Sequence, residues 1–157
     1  MKLAVDLDAV LGDTRPLWDA WLEDAHRRFR TIAELDPSSL PRERGAAAVA
    51  LDEWAAHGVG DWRASLERFA EDHAPLHLRP DAAATAALRR LHGGGARIVA
   101  FTDAPEPLAR VAAAHLGVSR RLEALEVGAG SRERALDRLG SGGRVVSSRD
   151  ELLHLEP

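Results

Sequence analysis

Lys2-Leu3-Ala4-Val5-Asp6-Leu7-Asp8-Ala9-Val10-Leu11-Gly12-Asp13-Thr14 is an apolar run that ends in acid and then turns polar. Its length and position predict a buried strand over residues 2–8. Thr14 is suited to cap a helix with Pro16 in its first turn, after which Trp18, Trp21, Leu22, Ala25, Phe29 and Ile32 recur at helical spacing. Asp36-Pro37-Ser38-Ser39 breaks that period. Two further helices are predicted, over 44–57, closed by Gly58, and over 61–73, with Trp62, Leu66, Phe69 and Ala70 on one face. Another follows Pro80, with Ala84, Ala87, Leu88 and Leu91 inward, and stops at Gly93-Gly94-Gly95.

Beyond these glycines strands and helices alternate. Residues 97–102 read as a second buried strand, 105–116 as a helix, 122–127 as a weaker strand, 132–139 as a helix and 143–147 as a last strand. Alternation of this kind implies parallel pairing through right-handed crossovers, hence an α/β fold with an open parallel, Rossmann-like sheet. The first connection is the exception: about 60 residues with helical signals only, far more than one crossover needs. It contains all four tryptophans. We expect a small helical cap over residues 15–76, inserted into an α/β core made of 1–14 and 77–157.

Composition narrows the function. The 157 residues are 45% hydrophobic and 29% charged, which suits a globular domain and not a disordered or fibrous chain. There is no cysteine, so disulfides, thiol nucleophiles and thiolate zinc sites are excluded. The formal net charge of -4 argues against a nucleic-acid binder. No long apolar run suggests a membrane span or leader, and the expectation is a cytoplasmic protein of unspecified oligomeric state. Lys2 is the sole lysine, so any functional cation further along the chain must be arginine.

Ligands of open parallel sheets bind beyond the carboxyl ends of the strands. Asp6 and Asp8 close the first strand, Thr102 and Asp103 the second, Ser147 and Ser148 the last. Carboxylates two residues apart on an extended segment share a side and repel, so one keeps its proton longer or a cation separates them. Either arrangement serves catalysis: one carboxylate as nucleophile, its neighbour as general acid and base, a magnesium ion as charge balance. The alternative is that both merely finish a solvated strand end. His73 and His77 have the spacing of helical zinc ligands, but Pro75 between them is expected to break the helix.

Val5-Asp6-Leu7-Asp8-Ala9-Val10-Leu11-Gly12-Asp13-Thr14 resembles the first motif of the haloacid-dehalogenase-like hydrolase superfamily, and Arg97-Ile98-Val99-Ala100-Phe101-Thr102-Asp103 resembles its second. The order of motifs and the helical insertion after the first also match. The resemblance implies Asp6 as the nucleophile that takes a phosphoryl group and Asp8 as the acid that protonates the leaving oxygen and later activates water. An acid at position 8 marks phosphotransferases rather than dehalogenases. Thr102 would hold a phosphate oxygen, unless it serves as a helix cap. The third motif requires a cation, for which Arg132 is preferred over Arg134.

The fourth motif departs from the family: Ser147-Ser148-Arg149-Asp150 stands where an acid should follow the last strand directly. A magnesium site would therefore draw on Asp6, Asp8 and either Asp150 or a water held by Ser147 or Ser148. The implied activity is a magnesium-dependent phosphatase for a small phosphorylated metabolite, with no nucleic-acid or membrane partner. Two other readings stand beside it. One is a catalytically degraded relative that binds or regulates. The other is a phosphoaspartate receiver, which would need an acid-ended strand near mid-chain where none is seen.

Overall fold

The computed structural model describes residues 1–157. Four strands form one all-parallel sheet: β1 (Lys2–Asp6), β2 (Arg97–Thr102), β3 (Ala124–Val127) and β4 (Arg144–Val146), in the order β3-β2-β1-β4. Seven α-helices accompany it: α1 (Arg15–Phe29), α2 (Arg44–Trp54), α3 (Trp62–His77), α4 (Ala82–Gly93), α5 (Glu106–His115), α6 (Ser131–Leu139) and α7 (Arg149–His154). The expected α/β architecture with an open parallel sheet is therefore present. No helix is long and apolar enough to cross a membrane.

Side chains alternate across the sheet as the two-residue strand period requires. Leu3, Val5 and Ile98 enter the large apolar cluster beneath most of the helices, whereas Ala4, Val99 and Phe101 face α6 through Ala135 and Leu139. Both faces are covered, which is why β1 and β2 read as continuous apolar runs.

The tryptophans sit within residues 15–76. Trp18, Trp21 and Trp62 form a row with ring centroids 5.3 and 6.1 Å apart, and Trp54 meets Phe29 edge-on at 6.2 Å. Trp18, Trp21 and Trp62 belong to the same apolar cluster as Leu3, Val5 and Ile98, so burial runs without a break from α1 and α3 to the sheet. α3 packs on both α1 and α5.

Three local expectations are corrected. β1 stops at Asp6, and Leu7–Leu11 form a π-helical turn in which Gly12 N donates to the Leu7 carbonyl at 2.9 Å. Asp8 therefore does not share an extended face with Asp6. The helix expected to run to residue 57 ends at Trp54, because Ala55–Val59 kinks at His57 and at Gly58, whose φ of 107° favours glycine. Pro75 does not end α3: it lies in the last turn, where few amide bonds remain to lose, and Leu78 N still reaches the Ala74 carbonyl at 2.8 Å. His73 stacks on Phe69 with ring centroids 3.9 Å apart, and its Nδ1 meets the Phe69 carbonyl at 2.9 Å.

Candidate active site

The π-helical turn sets the first two acids. Asp6 caps it, its Oδ1 accepting from Ala9 N at 3.1 Å. Burial raises the pKa of Asp6 above the ordinary carboxylate value; the backbone amides of Ala9 and Asp8 oppose this, and the charge of Asp8 adds to it. Asp8 is turned the other way and receives four donors. Thr14 N at 2.8 Å and Thr14 Oγ at 2.5 Å meet Oδ1; Thr102 Oγ at 2.6 Å and Arg44 Nη2 at 3.0 Å meet Oδ2.

Thr14 thus holds the N-cap position of α1 without capping it, since its hydroxyl is committed to Asp8. Thr102, 2% exposed at the end of β2, also spends its proton on Asp8 and accepts from Ala104 N at 3.1 Å.

Arg44 is the residue that sequence reasoning missed. It is the first residue of α2, is only 4% exposed, and its guanidinium joins three groups from distant parts of the chain. Nη2 donates to Asp8, Nη1 to Thr14 Oγ at 2.6 Å, and Nε to Asp103 Oδ1 at 3.1 Å, with a second, shorter bond from Nη2 to that same oxygen. A fully donating, planar fork suits such a junction and a lysine would not. One signal was available: a helix N-terminus disfavours a cation, so an arginine there points to a partner elsewhere.

A cavity of about 360 Å³ opens at this end of the sheet, lined by Asp6, Thr102, Asp103, Glu43, Ser131 and Arg132 among others. The loop under it needs glycine at Gly128 and Gly130, with φ of 74° and 71°. Arg134 fastens that loop, donating to the Ala129 carbonyl at 2.6 Å and to the Val127 carbonyl, and pairing with Glu126 at 3.3 Å. Arg132 lines the cavity and Arg134 does not.

The structure thus gathers Asp6, Asp8, Thr102 and Arg132 at one end of the sheet. It does not bring Asp150 to them: that side chain is 85% exposed in the first turn of α7, with Arg149 at 3.9 Å as its ionic neighbour. Ser148 caps α7, accepting from Glu151 N at 3.1 Å, while Glu151 accepts from Ser147 N at 3.1 Å and pairs with Arg144 at 2.8 Å. Ser148 and Glu151 are thus used at the start of α7. No three acidic or histidine side chains converge as a metal-binding group. Asp6 is without an ion pair, and Asp8 and Asp103 are both held by Arg44. The donor set as arranged does not fit the magnesium ion that the resemblance implies.

No protein-family model matches the chain, and no curated protein matches it in sequence. Among solved structures it is similar to a Thermotoga maritima protein assigned as a beta-phosphoglucomutase, with a TM-score of 0.54 and 15% identity over 92% of this chain and 74% of that one. At that identity the likeness concerns the fold alone.

Proposed function

We propose that this site transfers the phosphoryl group of a small phosphorylated metabolite to Asp6 and then to water. The observation that carries the reading is the division of labour among the acids. Asp6 lines the cavity without an ion pair, anchored by the Ala9 amide, while Asp8 and Asp103 are both bound by Arg44. A carboxylate left open to a cavity is the one able to attack.

In this reading an Asp6 oxygen attacks phosphorus, the ester P–O bond breaks, and the leaving oxygen takes a proton from Asp8. Water then attacks the acyl phosphate, Asp8 receives its proton, the bond from Asp6 to phosphorus breaks and inorganic phosphate departs. Arg132, a cation lining the cavity, would face the phosphoryl oxygens. Because Asp8 accepts four bonds in this structure, proton donation requires one of its donors to move away. Residues 15–76 act in this proposal as the cap that shields the reaction from water and selects the leaving group.

The saturation of Asp8 also favours a second reading, a relative that binds a phosphorylated ligand without turnover. An aryl phosphate assay with and without magnesium chloride, followed by a panel of phosphorylated metabolites, separates the two. Turnover that disappears in Asp6→Asn, with a phosphoenzyme that accumulates in Asp8→Asn, supports the transfer reading. Equal residual activity in both variants contradicts those roles. Ligand binding without turnover anywhere in the panel replaces transfer with binding.

A further inference from the structure

We infer that Arg44 is the resident cation of the acid cluster, its guanidinium holding the charge-balancing place that a divalent metal would otherwise take, so that magnesium enters only when that charge is removed. The inference rests on the carboxylate cluster being the functional site, and it concerns how that site is kept electrically balanced.

Two independent features agree. The acid expected after β4 is missing: Ser147 and Ser148 stand there, the Ser148 hydroxyl caps α7 and the Ser147 amide donates to Glu151. A buried guanidinium is present instead, bonded to Asp8, Thr14 and Asp103. One negative ligand fewer and one fixed positive charge more act in the same direction. Each makes a doubly charged ion less welcome between Asp8 and Asp103, the two acids that Arg44 joins.

The position of Arg44 is not explained by its own helix. At the first residue of α2 it faces the positive end of the helix dipole, an unfavourable place for a cation. The tertiary acids account for it. Two contacts also hold it there. Glu43 accepts from Gly45 N and Ala46 N, each at 2.7 Å, and fixes the start of α2. Gly45 lies so close to the loop before α6 that an added Cβ would come within 2.9 Å of Ala129 Cβ. The guanidinium is therefore delivered by a fixed backbone, and the carboxylates it binds are spoken for before any ion arrives.

Magnesium binding by the intact protein tests this without reference to catalysis. Calorimetric titration with magnesium chloride, with sodium chloride of equal ionic strength as reference, is run on the wild type, Arg44→Gln and Arg44→Lys. The wild type should show no saturable binding up to about 10 mM, and Arg44→Lys should behave alike because it keeps the charge. Arg44→Gln should show saturable binding at about 1 mM or below, because the Asp8 and Asp103 carboxylates are no longer neutralised by a guanidinium, although Thr14 and Thr102 still donate to Asp8. Saturable wild-type binding below about 1 mM, or Arg44→Gln no tighter than wild type, overturns the inference.

Should Arg44→Gln fail to fold, the wild type decides alone. Its Arg44 Nε–H resonance, identified by its absence from Arg44→Lys, stays in place through the titration if the guanidinium holds the site. A shift or loss of that resonance as magnesium saturates overturns the inference. The outcomes separate from those for phosphoryl transfer: tight magnesium binding with turnover removes the role of Arg44 and leaves Asp6 as nucleophile. Magnesium-indifferent binding without turnover does the reverse.

Discussion

Arg44 Nη2 meets Asp8 Oδ2 at 3.0 Å across 36 positions of sequence, joining the first turn of α2 to the π-helical turn after β1. With side chains 5% and 11% exposed, this pair is shielded from water, unlike Asp103, which is 48% exposed and correspondingly screened. Removing one member of a buried pair leaves a charge without compensation.

Arg44→Met should therefore lower stability by about 3 kcal/mol. For a chain of this size that is a fall in Tm of roughly 6–12 °C. Thermal melts check it. The double variant Arg44→Met/Asp8→Asn should recover part of the loss, because the stranded carboxylate is gone. A single-variant Tm within about 2 °C of wild type would show that the contact contributes little.

The raised pKa of Asp6 has a kinetic and a thermodynamic sign. Only the ionised carboxylate attacks, so kcat/KM should fall as pH drops, with a midpoint above the ordinary value of about 3.9. For stability, an acid whose pKa is raised by folding favours the native state below its unfolded pKa, and that contribution is lost as pH rises through the folded value. Asp6→Asn should accordingly melt at or above the wild type at pH 7 and lose this advantage in acid. A variant clearly less stable than wild type at pH 7 would refute the sign.

Asp81 shows the opposite shift. Its hydrogen bond with Arg149, helped by backbone amides at the start of α4, holds its pKa down to about 2. Its stabilisation is present above the unfolded value of about 3.9 and disappears as pH falls towards the folded value. Asp81→Ala should cost about 1 kcal/mol at pH 7, chiefly as a lost N-cap. The difference in Tm between the two proteins should close between about pH 4 and pH 2.

Gly45→Ala in an exposed helix would be expected to stabilise by up to about 1 kcal/mol. Here the added methyl would meet Ala129 Cβ and Glu43 Oε1, each at 2.9 Å, and Ala129 belongs to a short loop with little room to yield. The sign should reverse to a loss of about 1–2 kcal/mol, measurable by urea unfolding. Ala129→Gly in the same chain should restore most of it.

The strands, the parallel sheet and the strand-end placement of Asp6 and Thr102 could be read from apolar runs alternating with helical periods, since those signals are local. Arg44 could not be read in that way. Its partners Asp8, Thr14 and Asp103 come from three other segments, and an arginine in a helical stretch ordinarily lies in solvent. Asp8 was misplaced for a related reason. A period-two argument assumes the strand continues, whereas the ladder stops at Asp6 and the backbone winds into a wide turn. Pro75 shows that a helix-breaking residue breaks little when it sits near the end of a helix.

All four tryptophans lie at positions 18–62, none on a strand, and the chain has no tyrosine, so intrinsic fluorescence originates in one contiguous third of the sequence. Far-ultraviolet circular dichroism reports both. Since Trp18, Trp21 and Trp62 share their burial with Leu3, Val5 and Ile98, the two optical signals should lose amplitude at the same denaturant concentration. The placement of these rings thus makes the wild-type chain its own reporter for the cooperativity between the helices of residues 15–76 and the strands that bear the acids, without any label being added.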